Sequence, residues 1–145
     1  MKRISLFIAF FIFGIVSIAQ TRADDILGYW LTTGKELAKI QIYENNKKYY
    51  GKIVWLENPS ENGKLKVDVN NPDESKKNHT IIDLVLLTNF KYNGESEWNG
   101  GRIYDPASGN TYRSYLSLKD KNTLQVRGYV GISLFGRTEI WKRVN

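Results

Sequence analysis

Short runs in which apolar and polar residues alternate occupy most of residues 28–144 and constrain the fold more than any other feature of the sequence. The runs are rich in Ile, Val, Thr, Tyr and Trp, and Gly, Asn and Asp separate them, a pattern typical of half-buried strands joined by turns. No stretch of useful length has the three- to four-residue apolar spacing of an amphipathic helix. We therefore predict an all-β protein.

About eight antiparallel strands are predicted, joined mostly by short turns. The predicted runs are Gly28 to Thr33, Leu37 to Glu44, Tyr49 to Leu56, Ile81 to Tyr92, Gly101 to Tyr104, Thr111 to Leu118, Thr123 to Val130 and Arg137 to Val144. A meander of this size loses its exposed edges by closing on itself, so we expect an up-and-down barrel that can hold one small ligand. The strand spacing also permits a sandwich of two sheets.

Residues 1–23 have the features of an export signal. Lys2 and Arg3 precede an apolar run, and Ala19 and Ala23 each end a small-residue cleavage context. The apolar run is shorter than the ~20 residues that span a bilayer, so we expect cleavage after Ala19 or Ala23 and no stable membrane span afterwards. Residues 24–145 then form a single domain in the periplasm or outside the cell.

Composition excludes several kinds of chemistry. The chain has no cysteine, which rules out disulfides, thiolate metal sites, iron–sulfur clusters and cysteine nucleophiles. The formal net charge is +6, but most lysines lie among Asn, Asp and Glu in predicted loops, so we expect no nucleic-acid partner. The segment from Asp68 to His79 fails the EF-hand pattern at its sixth and twelfth positions, and we expect no metal or cofactor.

Catalysis is not favoured by the residues present. His79 is the single histidine and lies in a polar loop, and no serine has the sequence surroundings of an activated nucleophile. A hydrolase based on two carboxylates stays open, with candidates at Asp68, Asp73, Asp83 and Asp105. We assign no catalytic residue.

The last three predicted strands each have an aliphatic face and a face with arginine and aromatic residues. We expect the aliphatic faces to point inward, because burying arginines without partners is costly. On the last strand this places Thr138, Ile140 and Val144 inside and Arg137, Glu139, Trp141 and Arg143 outside. The opposite arrangement would line the lumen with arginine and aromatic side chains.

Particular motifs resemble a known family. Gly28-Tyr29-Trp30 is the G-x-W pattern that opens lipocalin-like barrels, and the basic last strand could pack on that tryptophan. The motifs that follow along the chain are Gly51-Lys52-Ile53-Val54-Trp55, Asp68-x-Asn70-Asn71-Pro72-Asp73, Trp98 to Pro106, Leu124-x-Val126-Arg127-Gly128-Tyr129 and Trp141-x-Arg143. Together they resemble the exported bacterial family called domain of unknown function 2147. The resemblance implies a lipocalin-like (calycin) barrel and no defined activity. The chain departs from the family pattern at Asp83, where the family tends to have a small glycine.

Binding is therefore the function that the sequence favours. We expect a non-enzymatic barrel that holds a small hydrophobic or amphiphilic ligand in the cell envelope, with the polar segment from Glu57 to Thr80 as a lid. The predicted ligand-binding residues are Trp55, Trp98, Tyr104, Tyr112, Arg127 and Tyr129, of which Trp55 and Trp98 are expected to frame the mouth. The alternative is a solid barrel that docks an envelope protein or glycan through an exposed face of Arg127, Tyr129 and Trp141.

Overall fold

The computed structural model describes residues 21–132, 134 and 136–145. Most of the predicted export signal, including its cleavage site after Ala19, lies outside the described residues. The strands are β1 (Gly28–Leu31), β2 (Ala38–Asn45), β3 (Lys48–Leu56), β4 (Ser60–Glu61), β5 (Lys64–Leu65), β6 (Val85–Tyr92), β7 (Glu97–Asp105), β8 (Asn110–Asp120), β9 (Thr123–Tyr129) and β10 (Gly136–Val144). Two 3₁₀ turns, Ala23–Ile26 and Glu74–Lys76, complete the elements.

Eight of the strands close into an antiparallel barrel in the order β1-β10-β9-β8-β7-β6-β3-β2. Each strand pairs with its neighbours along the chain, except that β6 follows β3 across the long connection and β10 returns to β1. The prediction of an all-β, up-and-down barrel is confirmed, and the sandwich alternative is wrong. The remaining strands, β4 and β5, form a separate small hairpin inside the long connection.

One end of the barrel is closed by the segment that precedes β1. The 3₁₀ turn Ala23–Ile26 carries the fully buried Ile26, whose carbonyl accepts a hydrogen bond from Trp30 Nε1 at 2.9 Å. The Arg143 guanidinium lies 4.2 Å from the Trp30 ring centroid and donates to the carbonyls of Asp25 and Leu27. The expected packing of the basic last strand on Trp30 is confirmed.

The inward faces of β8 and β9 are those predicted. Leu116, Leu124 and Val126 are buried, while Arg113 and Arg127 lie on the opposite, outward faces. Burial of Leu116 and Val126 lets the apolar groups of adjacent strands pack together across the core, as the hydrophobic pattern requires.

On β10 the predicted orientation is wrong. Trp141 is 1% exposed and Ile140 lies on the outer side, so the inward face is the one that carries Arg137, Glu139, Trp141 and Arg143. Two observations explain why this is tolerated. Arg143 is satisfied by backbone carbonyls and by the Trp30 ring, and Arg137 Nη2 lies 3.5 Å from Glu139 Oε1. Arg143 thus has partners, Arg137 stays 80% exposed at the open end, and the indole supplies the largest apolar surface of the strand.

The strand after the long connection begins four residues later than predicted. Asp83 has φ +70°, in the left-handed region, and its N–H donates to the Ile53 carbonyl at 2.7 Å. The chain therefore forms a turn over residues 81–84, and the strand begins only after it. The positive φ accounts for the glycine that the family resemblance implies here, and an aspartate is among the few other residues that enter this region readily. The Asp83 side chain is exposed, 3.6 Å from Lys52 Nζ.

Candidate functional site

A cavity of about 700 Å³ opens at the end of the barrel opposite the 3₁₀ plug. Its deeper walls are apolar and come from Ile40, Ile53, Leu86 and Val126, on four different strands. Trp141 contributes a nearly buried indole to the wall, and its Nε1 donates to Glu139 Oε2 at 3.2 Å. The volume lies within the ~300–1,000 Å³ typical of small-molecule sites, and apolar walls with a few fixed polar groups are the usual composition of such sites.

The outer part of the cavity is aromatic and polar. Tyr104, Tyr112 and Tyr129 lie in its wall, where β7, β8 and β9 reach the open end. Arg137 and Glu139 also line it and lie within ion-pair distance of each other. A ligand in this site would meet an apolar interior and, nearer the mouth, phenol groups and charged side chains.

The long connection does not line the cavity. None of the described residues 57–80 belongs to its wall; the segment instead braces the rim from outside. Asn70 Nδ2 donates to the carbonyls of Pro106 and Ala107 in the β7–β8 turn, at 3.2 and 3.0 Å. Lys66 Nζ lies 2.5 Å from Glu36 Oε1 in the β1–β2 loop. The segment therefore does not form the expected lid. Residues 66–71 instead connect the β1–β2 loop to the β7–β8 turn, and we call them the clasp.

A buried carboxylate fixes this clasp. Asp68 is 1% exposed and accepts hydrogen bonds from the Tyr104 hydroxyl and from Asn71 Nδ2, both at 2.7 Å. Burial of the phenol and the bond to Asp68 raise the pKa of Tyr104 to about 12. The hydroxyl of Tyr104 is thus committed to the clasp while its ring forms part of the cavity wall.

The structure separates the six predicted ligand-binding residues into two groups. Tyr104, Tyr112 and Tyr129 lie together in the cavity wall. The other three, Trp55, Trp98 and Arg127, do not belong to it.

The expectation that Trp55 and Trp98 frame the mouth is wrong. Trp55 is 43% exposed on the outside of β3. Trp98 is fully buried near the closed end, where its Nε1 donates to the Ala23 carbonyl at 3.1 Å. Both residues sit at strand ends, but neither at the open end of the inner face.

Arg127 lies on the outer face of β9, and its Nη1 donates to Thr138 Oγ1 at 2.6 Å. The expected docking face of Arg127, Tyr129 and Trp141 is not formed, because Trp141 is buried inside the barrel.

Sequence reasoning missed the apolar residues that form most of the deeper wall. Ile40, Ile53 and Val126 could have been found from the alternation, because each occupies the apolar face of its strand. Glu139 could not, because its place inside depends on Trp141 taking the inward side of β10.

The carboxylates considered for catalysis have structural roles. Asp105 accepts hydrogen bonds from the Ala107 N–H and the Ser108 hydroxyl in the β7–β8 turn, and Asp73 caps the 3₁₀ turn Glu74–Lys76. Asp68 is buried in the clasp, and Asp83 faces solvent beside Lys52. Across the described residues, no group of three or more His, Asp or Glu side chains is arranged to hold a metal ion. The same part of the chain has no helix that is long and apolar enough to cross a membrane.

A closed eight-stranded antiparallel barrel with one plugged end and one open, cavity-bearing end is a lipocalin-like fold. Residues 28–143 match the family described as "Uncharacterized protein conserved in bacteria (DUF2147)", and the chain belongs to this family. The resemblance drawn from the sequence motifs is thereby confirmed.

A solved structure shows the same fold. Protein HP1028 from the human pathogen Helicobacter pylori, described as belonging to the lipocalin family, superposes with a TM-score of 0.75 at 22% sequence identity. The match covers 83% of each chain. No curated protein sequence matches this chain.

Proposed function

We propose that this protein is a binding protein of the cell envelope that holds a small hydrophobic or amphiphilic molecule in the open end of its barrel. The observation that carries the proposal is the cavity of about 700 Å³ with its apolar walls. Burying an apolar ligand there removes its apolar surface from water, which favours binding by roughly 25 cal/mol per Å² of surface buried. The barrel needs no large rearrangement to provide the site.

Binding is favoured over catalysis by the state of the polar groups. Asp68, Asp73 and Asp105 each hold a turn or a loop contact, and His79 lies in the exposed part of the long connection. Envelope localisation rests on the export signal that the sequence predicts.

A cavity-filling substitution tests the proposal. Val126→Phe places a ring in the apolar part of the cavity, whereas Gln125→Phe places the same ring on the outer face of β9, one residue away. We expect N-phenyl-1-naphthylamine, an uncharged fluorescent probe, to bind the unaltered protein and the Gln125 variant equally. The Val126 variant should bind it at least about tenfold more weakly.

Circular dichroism of both variants establishes that the barrel is intact, and Ala38→Leu provides a second, smaller filling if Val126→Phe does not fold. Equal binding by a folded filled variant would place the probe elsewhere and contradict the proposal. Absence of probe binding, together with a ligand-free mass for protein isolated from its own compartment, would also overturn it.

A further inference from the structure

We propose that Arg102 and Arg113 bind the anionic head group of the molecule whose apolar part occupies the barrel cavity. This inference rests on the proposed function and adds the chemical class of the ligand: a single-chain amphiphile with a carboxylate or a similar anion at one end.

The first observation is an unbalanced pair of like charges. Arg102 on β7 and Arg113 on β8 are direct cross-strand partners on the exposed, outer face of the barrel near its open end. Like charges placed opposite each other on adjacent strands destabilise a sheet. Among the described residues, none of the ion pairs includes either arginine. The fold therefore maintains two neighbouring guanidinium groups without a carboxylate to balance them.

The second observation is a concave site at the same place. Both arginines line a cavity of about 250 Å³. The rest of its wall is Thr111, Tyr112, Tyr129, Val130 and Gly131. Among the described residues of this wall, three hydroxyl groups accompany the two guanidinium groups and no side chain is acidic. Guanidinium groups present paired N–H donors whose spacing matches carboxylate and phosphate oxygens, so this wall suits an anion.

The third observation is that this site adjoins the barrel cavity. Tyr112, Tyr129 and Val130 belong to the walls of both. Because the arginines lie on the outer face, the two sites meet at the rim of the barrel. One molecule would reach both by placing its anionic end against the arginines outside and its chain over the rim, past Tyr112, Tyr129 and Val130, into the barrel. Arg137, which lines the mouth of the barrel cavity and is 80% exposed, already has the Glu139 carboxylate 3.5 Å away.

A pair of ligands of equal chain length tests the assignment. Dodecanoate and 1-dodecanol differ only in the head group. Each is titrated as a competitor of N-phenyl-1-naphthylamine, dodecanoate below its critical micelle concentration and dodecanol below its solubility limit. We expect the unaltered protein to bind dodecanoate at least about tenfold more tightly than dodecanol. The double substitution Arg102→Gln/Arg113→Gln should remove this preference and leave dodecanol binding unchanged. Raised salt should weaken the binding of dodecanoate and leave the binding of dodecanol unchanged.

The matched control removes the same charge elsewhere. Lys91→Gln/Lys119→Gln alters two exposed lysines in the half of the barrel near the plugged end. It should leave the preference for dodecanoate intact. An equal loss in the control would assign the preference to net charge and overturn the site.

Other outcomes separate the inference from the function on which it rests. Equal affinities for dodecanoate and dodecanol in the unaltered protein overturn the head-group site and leave the binding function standing. Binding of neither, and of no probe, overturns both. If acetate or inorganic phosphate alone binds, and the arginine double variant loses that binding while dodecanoate never competes with the probe, the site is one for a free anion and the amphiphile is wrong.

Discussion

At the scale of single residues, the hydrogen bond between Tyr104 and Asp68 is the contact that joins the cavity wall to the clasp. It removes a carboxylate from solvent and supplies that carboxylate with a phenol donor at 2.7 Å, while Asn71 supplies a second donor. A buried carboxylate needs such donors, because an unpaired one costs several kcal/mol. The bond also contributes to the dependence of the protein's stability on pH in the alkaline range.

We expect the free energy of unfolding to decrease between pH 10 and pH 12. Burial and the bond to Asp68 raise the pKa of Tyr104 to about 12, against about 10 in an unfolded chain, so the folded state holds this proton where the unfolded state releases it. The contribution is complete below pH 10 and disappears as the pH passes 12, at up to ~1 kcal/mol per pH unit. Urea denaturation at several alkaline pH values measures the slope.

Tyr104→Phe should make that slope shallower. Some slope remains in the variant, because burial and a bond to Asp24 also raise the pKa of Tyr49 to about 12. An identical slope in Tyr104→Phe and in the unaltered protein would show that the Tyr104 proton is not retained by folding.

At the scale of elements, the connection between β3 and β6 contacts both the β1–β2 loop and the β7–β8 turn, and its contact with the turn is the closer-packed one. Asn70 reaches the carbonyls of Pro106 and Ala107, and Gly109 lies directly against the Asn70 backbone. A Cβ atom on Gly109 would lie 2.0 Å from the Asn70 oxygen, and Gly109 has φ +74°. Only glycine fits both the approach and the dihedral angle.

We therefore expect Gly109→Ala to destabilise the protein by about 2 kcal/mol or more. Gly94→Ala is the matched control, because Gly94 has φ +90° but no atom within 4 Å of an added Cβ. It should cost only the ~1 kcal/mol of the backbone conformation. Hydrogen exchange should increase for residues 66–80 in the Gly109 variant alone. Equal losses of stability in the two variants would show that the contact with Asn70 contributes little.

The elements also show how far sequence reasoning reaches. Alternation was sufficient to predict eight strands and the inward faces of β8 and β9, because there the apolar residues are all on one side. It failed on β10, where Trp141 and Ile140 compete for the inside and the result depends on how the arginines on either side of Trp141 are accommodated. Arg137 stays 80% exposed at the open end, whereas the groups that accommodate Arg143, the Trp30 ring and the carbonyls of Asp25 and Leu27, come together only in the folded barrel.

The candidate site was predictable to a similar extent. Tyr104, Tyr112 and Tyr129 lie where the strand pattern predicts a rim, but Trp98 lies at the opposite end. Each strand has one end at the mouth and one at the plug, and the composition of a strand does not say which aromatic residue belongs to which end. The clasp was not predictable, because Asp68 and Tyr104 are 36 residues apart and meet only through tertiary structure.

At the scale of the whole molecule, the barrel has two ends with different tasks. The open end carries the cavity, and the plugged end is held together by residues that precede β1. Trp98 is fully buried, and the acceptor for its Nε1 is the carbonyl of Ala23. Cleavage after Ala23 would remove this acceptor, whereas cleavage after Ala19 would keep it. We therefore expect the mature chain to begin at Gln20.

A comparison of two chain lengths tests this prediction in energetic terms. A chain that begins at Asp24 should be less stable than one that begins at Gln20 by about 1–3 kcal/mol, because a buried indole N–H is left without its acceptor. Trp98→Phe removes the donor, so in that background the two lengths should differ much less. The interaction energy from this double-mutant cycle isolates the Trp98–Ala23 bond from other effects of the shorter chain. The mass of the exported protein identifies the first residue directly; a chain beginning at Asp24 that is as stable as the longer one would mean that the plug does not need Ala23.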